Sequence, residues 1–512
     1  MISLTNSQIG ELMGQFLLAG TGTLSFAILF ACPRRSLPTC ALVGAMGWFV
    51  YELCVMLGLD TAAASLLAVI PLTILTRVFA ILQKTPVTVF LLSGIFPLVP
   101  GAGIYYTAYY FIQRDNALAL SNGISTFKVA VEYPCVANFG SRPEVNFKVL
   151  NDFRPDQPLM CGEYWVGWFD HWYEEHHVRN PKEVAKLFKD MIDCGASLNF
   201  YMFHGGTNFG YMNGANYYDK YEPTITSYDY NAHLSEAGDL TPAYFEVRKI
   251  IEEKFGKLPE LTVKNSEKAA YGKLELNERC SIFEAAKLLS KPIHSASPLF
   301  MEDIGQYYGF TLYSTVVDGP RDEREIKFDA VHDRAVVFID GEYKGFYERT
   351  RDGEPVSFSL KKGESCRIDI LCENMGRVNY GPKIMDRKGI KGVRFNLQYH
   401  FGWDMYTLPL DNISSLRFEQ KRGEVNVASF LKGTLKINDE PHDTFMRLDG
   451  FTKGVIFVNG FNIGRYFNPA GPQKTLYVPA PMLKKGDNEI VVFETDHSDR
   501  SSVTFLDKPD LG

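Results

Sequence analysis

The run from Pro158 to Trp172 sets Glu163 just after a short apolar stretch, with Trp165, Trp168 and Trp172 following closely. A carboxylate in an aromatic setting suits sugar chemistry. Aromatic faces stack on the apolar face of a sugar ring, while the carboxylate attacks or stabilises the anomeric carbon. The plainer alternative is a strand-terminal Glu paired with a nearby cation. A second run, Asn199-Phe200-Tyr201-Met202-Phe203-His204-Gly205-Gly206-Thr207-Asn208-Phe209-Gly210, ends an apolar segment in a glycine turn that displays Asn, His and Thr. Such a turn can present hydrogen bonds to a polyol, or it can be an ordinary polar loop. A third run, Thr226 to Asp239, contains Tyr228-Asp229-Tyr230.

These clusters need rigid elements to hold them. Ala196–Phe203 has the length and apolarity of a buried strand. Residues Pro181–Cys194 carry Val184, Leu187, Phe188, Met191 and Ile192 at helical spacing, which predicts an amphipathic helix. Tyr244–Phe255 is again helix-like. Beyond about Leu258 the pattern becomes one of short alternating strands: Tyr308–Val317, Arg334–Ile339, Arg367–Leu371, Gly454–Phe457 and Glu489–Phe493. Asp340-Gly341, Asn459-Gly460 and Lys485-Gly486 punctuate them, as expected for hairpins in sandwiches or jelly rolls.

The first part of the chain differs in kind. Four apolar stretches, roughly Ile9–Cys32, Thr39–Leu59, Ala62–Leu82 and Val87–Ile112, each approach the ~20 residues needed to cross a bilayer. A possible fifth, Ala117–Val131, is short and carries Lys128. Arg34, Arg35, Arg77 and Lys84 flank alternate loops, which the positive-inside rule would place in the cytoplasm. The side on which the remainder emerges stays open, with the cytoplasm expected. A buried helical bundle is the soluble alternative. Composition changes abruptly near Ala130–Pro134, where charges, Trp and His begin to occur at soluble-protein frequency.

Net charge is −7 and no long basic run occurs, which argues against a nucleic-acid partner. The nine cysteines are irregularly spaced and form no CxxC, so neither a disulfide framework nor a zinc site is expected, and a reducing compartment fits.

Taken in order and spacing, the three clusters resemble the last barrel strands and the following loop of β-galactosidases of glycoside hydrolase family 35. Ala137-Asn138-Phe139-Gly140-Ser141-Arg142-Pro143 resembles the preceding strand. Glu373 to Gly381 and Gly471 to Pro479 resemble that family's β domains. The likeness runs from about Val136 to Gly512. It implies a retaining mechanism with Glu163 as nucleophile, Tyr230 lining the galactose pocket and Trp168 packing under the nucleophile strand. Asn199 is a further substrate-binding candidate, and no metal or organic cofactor is called for. Lys84 to Phe90 and Pro97 to Tyr106 resemble a membrane half of the threonine/serine exporter family. The prolines and glycines of the latter phrase suggest a broken helix beside a substrate cavity, or else a packing kink.

The expected architecture is therefore a helical membrane segment (1–130), the C-terminal part of a (β/α)8 barrel (131–257), a β-sandwich (258–420) and a galactose-binding-like jelly roll (421–512). The family's acid/base motif, Asn-Glu-Tyr-Gly, does not occur. Val131-Glu132-Tyr133-Pro134 is a near match that lacks the Asn and the Gly and lies too close to Glu163 to be the fourth strand. Counterparts of the first five or so barrel strands are also missing. The leading expectation is a β-galactosidase-family hydrolase acting on terminal β-galactosides, impaired by that loss. The alternatives are an exporter-type transporter and a carbohydrate-binding protein.

Overall fold

The computed structural model describes residues 6–29, 32–59, 61–83, 85, 87–95, 135–351, 353–421, 423–498 and 500–512. The chain divides into two units, Met1–Cys135 and Val136–Gly512.

The first unit contains helices α1 (Asn6–Leu29), α2 (Leu37–Met56), α3 (Thr61–Gln83) and α4 (Val87–Ile95). Pro38 sits in the first turn of α2, where its missing N–H costs nothing. Small residues let the helices approach closely. A Cβ on Gly44 would fall 2.0 Å from Thr23 Oγ1, and one on Gly94 would fall 2.7 Å from Val43. Gln83 ties the elements together by accepting from Ser36 at 2.8 Å and donating to Thr39 at 3.0 Å. Gly10–Leu29 and Arg34–Met56 are long and apolar enough to cross a membrane, whereas the apolar part of α3, Leu67–Gln83, is shorter. The expected stretch Val87–Ile112 is a helix as far as Ile95. Its remainder, the broken-helix phrase Pro97 to Tyr106, the possible fifth segment Ala117–Val131 and Glu132 lie outside the described residues.

The second unit opens with a three-stranded parallel sheet in the order β1 (Ala137–Phe139), β2 (Met160–Trp165), β3 (Ser197–Tyr201). Helix α5 (Pro143–Phe153) joins β1 to β2, and α6 (Pro181–Asp193) joins β2 to β3. The α6 helix starts where the Asn180 side chain caps Lys182 N. Its apolar face buries Val184, Phe188 and Met191 against Cys161 and Tyr164 of β2, with Leu187 and Ile192 partly buried beside them. Each such side chain contributes about 1.5–3 kcal/mol when fully buried. Helix α7 (Pro242–Phe255) adds Val247 to the same core.

Two sandwiches follow. The first pairs a six-stranded sheet, including Phe310–Asp318, Arg334–Ile339 and Ser365–Glu373, with a four-stranded one that includes Arg321–His332 and Gly389–Phe395. Tyr313, Ile326, Val337, Ile368, Val393 and Trp403 fill the space between them. The second sandwich is built from Ser429–Ile437, Lys453–Val458, Phe461–Phe467 and Gly486–Glu494 against Thr444–Arg447, Thr475–Val478 and Ser502–Leu506. The larger sheets of the two sandwiches pack on one another through Phe310, Phe338, Phe430 and Phe493. The Phe430 and Phe493 rings stack at 4.2 Å.

The hairpin turns follow their sequence signals. Asp340 and Gly341 have φ of 51° and 83°, and Asn459 and Gly460 have 50° and 82°, the left-handed pairs that a type I′ turn needs. One boundary departs from the sequence division. Gly272–Glu275 and Glu278–Ser281 precede the first sandwich in the chain, yet they pair with Ser502–Leu506 and Ser429–Ile437 of the second. The second sandwich is therefore discontinuous, whereas a break near residue 420 assumed two contiguous blocks. Strand pairing across some 150 to 230 residues leaves no local trace, which is why the pattern of turns could not show it.

Candidate functional site

Glu163 lies near the C-terminal end of β2, the middle strand of the parallel sheet. Its Oε2 accepts a hydrogen bond from Trp165 Nε1 at 3.0 Å. Among the described residues no cation comes within ion-pair distance of it, so the strand-terminal salt bridge considered above has no partner here. Trp165 meets Trp168 edge to face at 5.8 Å, and Trp168 stacks on Phe169 at 4.9 Å. Phe169 continues the stack to Tyr228 at 5.6 Å, and Tyr228 to Tyr230 at 5.6 Å. Tyr201, at the end of β3, packs edge-on against Tyr230 at 5.6 Å. Burial pushes the phenols of Tyr228 and Tyr230 well up. A hydrogen bond to Tyr201 adds to the first, and the nearby carboxylate of Glu163 adds to both. Both phenols therefore stay neutral around Glu163, able to donate hydrogen bonds.

The structure thus brings Glu163, Trp168 and Tyr230 into one neighbourhood. Asn199 is on the adjacent strand β3, where its Nδ2 reaches Gly162 O at 3.4 Å. Sequence reasoning gave no role to Tyr201 or Tyr228, although both stand inside the quoted clusters. It also missed Arg179, whose Nη1 donates to Trp165 O at 2.8 Å and whose backbone N donates to Asn231 Oδ1 at 2.7 Å. This one residue clamps the end of β2 to the Tyr230 loop. An isolated Arg in a polar stretch carries no signal for that.

Two glycines make the approach possible. A Cβ on Gly167 would lie 1.8 Å from Tyr230 O, and one on Gly205 would lie 1.6 Å from Tyr228 O. The Tyr228–Asn231 loop therefore rests directly on the backbone beyond β2 and β3. Tyr230 and Asn231 take left-handed φ of 62° and 52° to turn there. Behind Trp168, Asp170 is held by His176 Nδ1 and His177 Nδ1, each at 2.8 Å. Burial works to raise the Asp170 carboxyl, but these hydrogen bonds outweigh it and hold the group below its usual range.

Glu236 anchors the loop from inside. Its buried carboxyl accepts from Thr207 Oγ1 at 2.6 Å and Ser227 Oγ at 2.9 Å, joining the glycine turn after β3 to the tyrosine loop. Burial pushes its pKa up to about 7 from the ordinary 4.5, with Asp229 adding repulsion. A carboxyl whose pKa is raised on folding favours the folded state fully at acid pH. That contribution is lost as pH rises from about 4.5 to about 7. At about 1.4 kcal/mol per unit this is on the order of 3 kcal/mol. Glu236→Gln is therefore expected to raise Tm at pH 8 by roughly 4 °C and to leave it nearly unchanged at pH 4. Thermal unfolding of both proteins at the two pH values checks this; equal shifts at both would contradict it.

Comparison with known proteins fits this arrangement. The family model for glycosyl hydrolases family 35 matches residues 115–254, starting ahead of the Val136 boundary. The first all-β domain of β-galactosidase matches 298–409, and its galactose-binding domain matches 428–488. The threonine/serine exporter model, ThrE, matches 15–133. A β-galactosidase of Bos taurus is 39% identical over 408 residues, covering 72% of this chain and 61% of its own. The β-galactosidase of Homo sapiens is 38% identical, with 73% and 60% covered, and the human β-galactosidase-1-like protein 2 is 38% identical, with 78% and 63% covered. The chain thus spans about three-fifths of the length of the curated relatives it matches. From residue 115 on, the chain is homologous to the β-galactosidases of glycosyl hydrolase family 35, and the match to the threonine/serine exporter model covers residues 15–133 and overlaps its start.

Proposed function

We propose that the second unit carries the nucleophile side of a retaining β-galactosidase site. In this reading β1, β2 and β3 are late strands of a (β/α)8 barrel, whose reacting groups gather at the C-terminal strand ends. Glu163 attacks the anomeric carbon, and the aglycone leaves with the bonding electron pair. Water then releases the sugar from the enzyme. Trp168, which is exposed, forms the wall on which the galactose rests, the buried Tyr230 backs it, and Asn199 donates to a sugar hydroxyl. The observation that carries the reading is a carboxylate at a strand end that has no ion-pair partner among the described residues, accepts a hydrogen bond from Trp165 and stands beside a connected set of rings, Trp168, Tyr228, Tyr230 and Tyr201.

The general acid is the missing partner, since no Asn-Glu-Tyr-Gly motif occurs. A positioned acid contributes about 10²–10⁴-fold. A sugar alkoxide does not leave without a proton, but an acidic phenol does. The chain alone should therefore be weak on natural galactosides and still form the glycosyl-enzyme with an activated one. Incubation with an activated fluorinated galactoside, followed by peptide mapping, is expected to find a galactosyl ester on Glu163. An unlabelled peptide, with the protein folded, would sink the assignment.

The absent acid also favours a second reading, in which the chain holds galactosides without cutting them. In either case α1 and α2 are proposed to lie in a membrane. Leu17, Leu18, Ile28 and Leu29 are exposed on α1, a surface suited to lipid. Extraction that needs detergent supports this; recovery in the aqueous fraction speaks against it.

A further inference from the structure

A groove of about 700 Å³ opens where the two sandwiches meet, well apart in sequence from Glu163. Arg279 comes from the strand Glu278–Ser281, Tyr343 from the hairpin of the first sandwich, and Lys421 and Asn426 from the connection between the sandwiches. His497 closes the remaining side.

Two cations, Arg279 and Lys421, and two carboxylates, Glu342 and Glu424, line the groove. Arg279 is only 7% exposed, and its guanidinium donates to two backbone carbonyls, Glu424 O at 2.9 Å and Gly423 O at 2.8 Å. Its Nε is buried without a partner. Among the described residues no carboxylate pairs with it, and burial alone acts on it, lowering its pKa. A buried cation that meets only neutral acceptors is a costly arrangement unless an anion arrives. With both terminal nitrogens bonded to carbonyls, the guanidinium draws a carboxylate or sulfate oxygen by its charge rather than as a free fork. Lys421 is exposed on the rim and forms no ion pair among the described residues. Of the two acids in the lining, Glu342 is taken by Lys344 at 2.8 Å. Glu424, which is exposed, remains as the one competing carboxylate in the lining against two cations. The wall is not simply electrostatic. The Tyr343 and His497 rings stand 5.8 Å apart at 59°, and the Tyr343 hydroxyl is already committed to Glu354 at 2.9 Å, which leaves its ring face for contact.

We propose that this groove binds an acidic sugar unit of a glycan, with its anionic group drawn to Arg279 and Lys421, its ring against Tyr343 and His497, and Asn426 bonding a hydroxyl. The site is independent of the Glu163 chemistry, and it would hold an acidic chain on the β domains. A uronate carboxylate and a sulfate ester share the recognising chemistry.

The test is calorimetric titration of the detergent-purified full chain with digalacturonate, with a sulfated disaccharide and with neutral galactobiose. One of the acidic sugars is expected to bind at least about tenfold tighter than galactobiose, and which one does so identifies the anionic group. Lys421→Ala, an exposed change that leaves the fold intact, should weaken that binding about tenfold, and Arg279→Gln should weaken it further, one tenfold step corresponding to about 1.4 kcal/mol. Raised salt should weaken it as well. Equal affinity for neutral and acidic sugars, no saturation by either acidic sugar, or an unchanged affinity in Lys421→Ala would each overturn the proposal. Binding that survives in Glu163→Gln keeps this site separate from the hydrolytic reading whichever way that reading falls.

Discussion

Replacing Glu163 by Gln is expected to reduce the release of phenolate from dinitrophenyl β-galactoside by roughly 10²–10³-fold, down to the solvent rate. Residues that act as a unit are strongly non-additive: in a complete site, removing one member costs nearly as much as removing all, up to about 10⁶. On the proposed reading this chain has no acid partner, so only the nucleophile's own share is left to lose. An activated leaving group exposes that share because it departs without a proton. With lactose, where departure needs the acid, the same substitution should change little. Stopped-flow or steady-state release with both substrates separates the cases. A Glu163→Gln protein that keeps wild-type release from the activated galactoside would remove Glu163 from the chemistry.

The second large effect concerns the junction behind the site. Glu373 is buried between Lys453 Nζ at 2.5 Å and Arg465 Nε at 2.9 Å. Arg465 also donates to Asn374 O at 2.6 Å and to Asn213, and its backbone N donates to Thr226 Oγ1 at 2.9 Å. One carboxylate therefore neutralises two buried cations and joins the first sandwich, the second sandwich and the segment that leads into the tyrosine loop. Removing one partner of a buried pair typically costs about 3–5 kcal/mol, because it strands the other charge. Glu373→Ala strands two, so a loss at the upper end of that range is expected. Chemical denaturation should show it as a fall in the midpoint, with loss of near-ultraviolet signal from the tryptophans. A change under about 1 kcal/mol would mean that the network is better hydrated than its burial implies.

What was legible in the sequence divides by range. The α6 helix follows from its apolar spacing, and the two type I′ turns follow from Asp-Gly and Asn-Gly, because those signals act within a few residues. Glu163, Trp168 and Tyr230 stood out by residue type within clusters, and their gathering in one place agrees with that. Arg179, Gly167, Gly205 and Glu236 were silent. Each matters through a partner that folding brings near: Trp165 O and Asn231 for Arg179, Tyr230 O for Gly167, Tyr228 O for Gly205, and Thr207 with Ser227 for Glu236. The same limit hid the pairing of Gly272–Glu275 and Glu278–Ser281 with the second sandwich.

The central claim is that this chain holds the nucleophile of a β-galactosidase site without its acid. Galactose release from lactose by the detergent-purified, folded chain, measured beside Glu163→Gln, tests it most directly. The account predicts release at or near background from both proteins. Release at ordinary glycosidase rates that Glu163→Gln abolishes would contradict it, because an acid and a closed pocket would then be present after all.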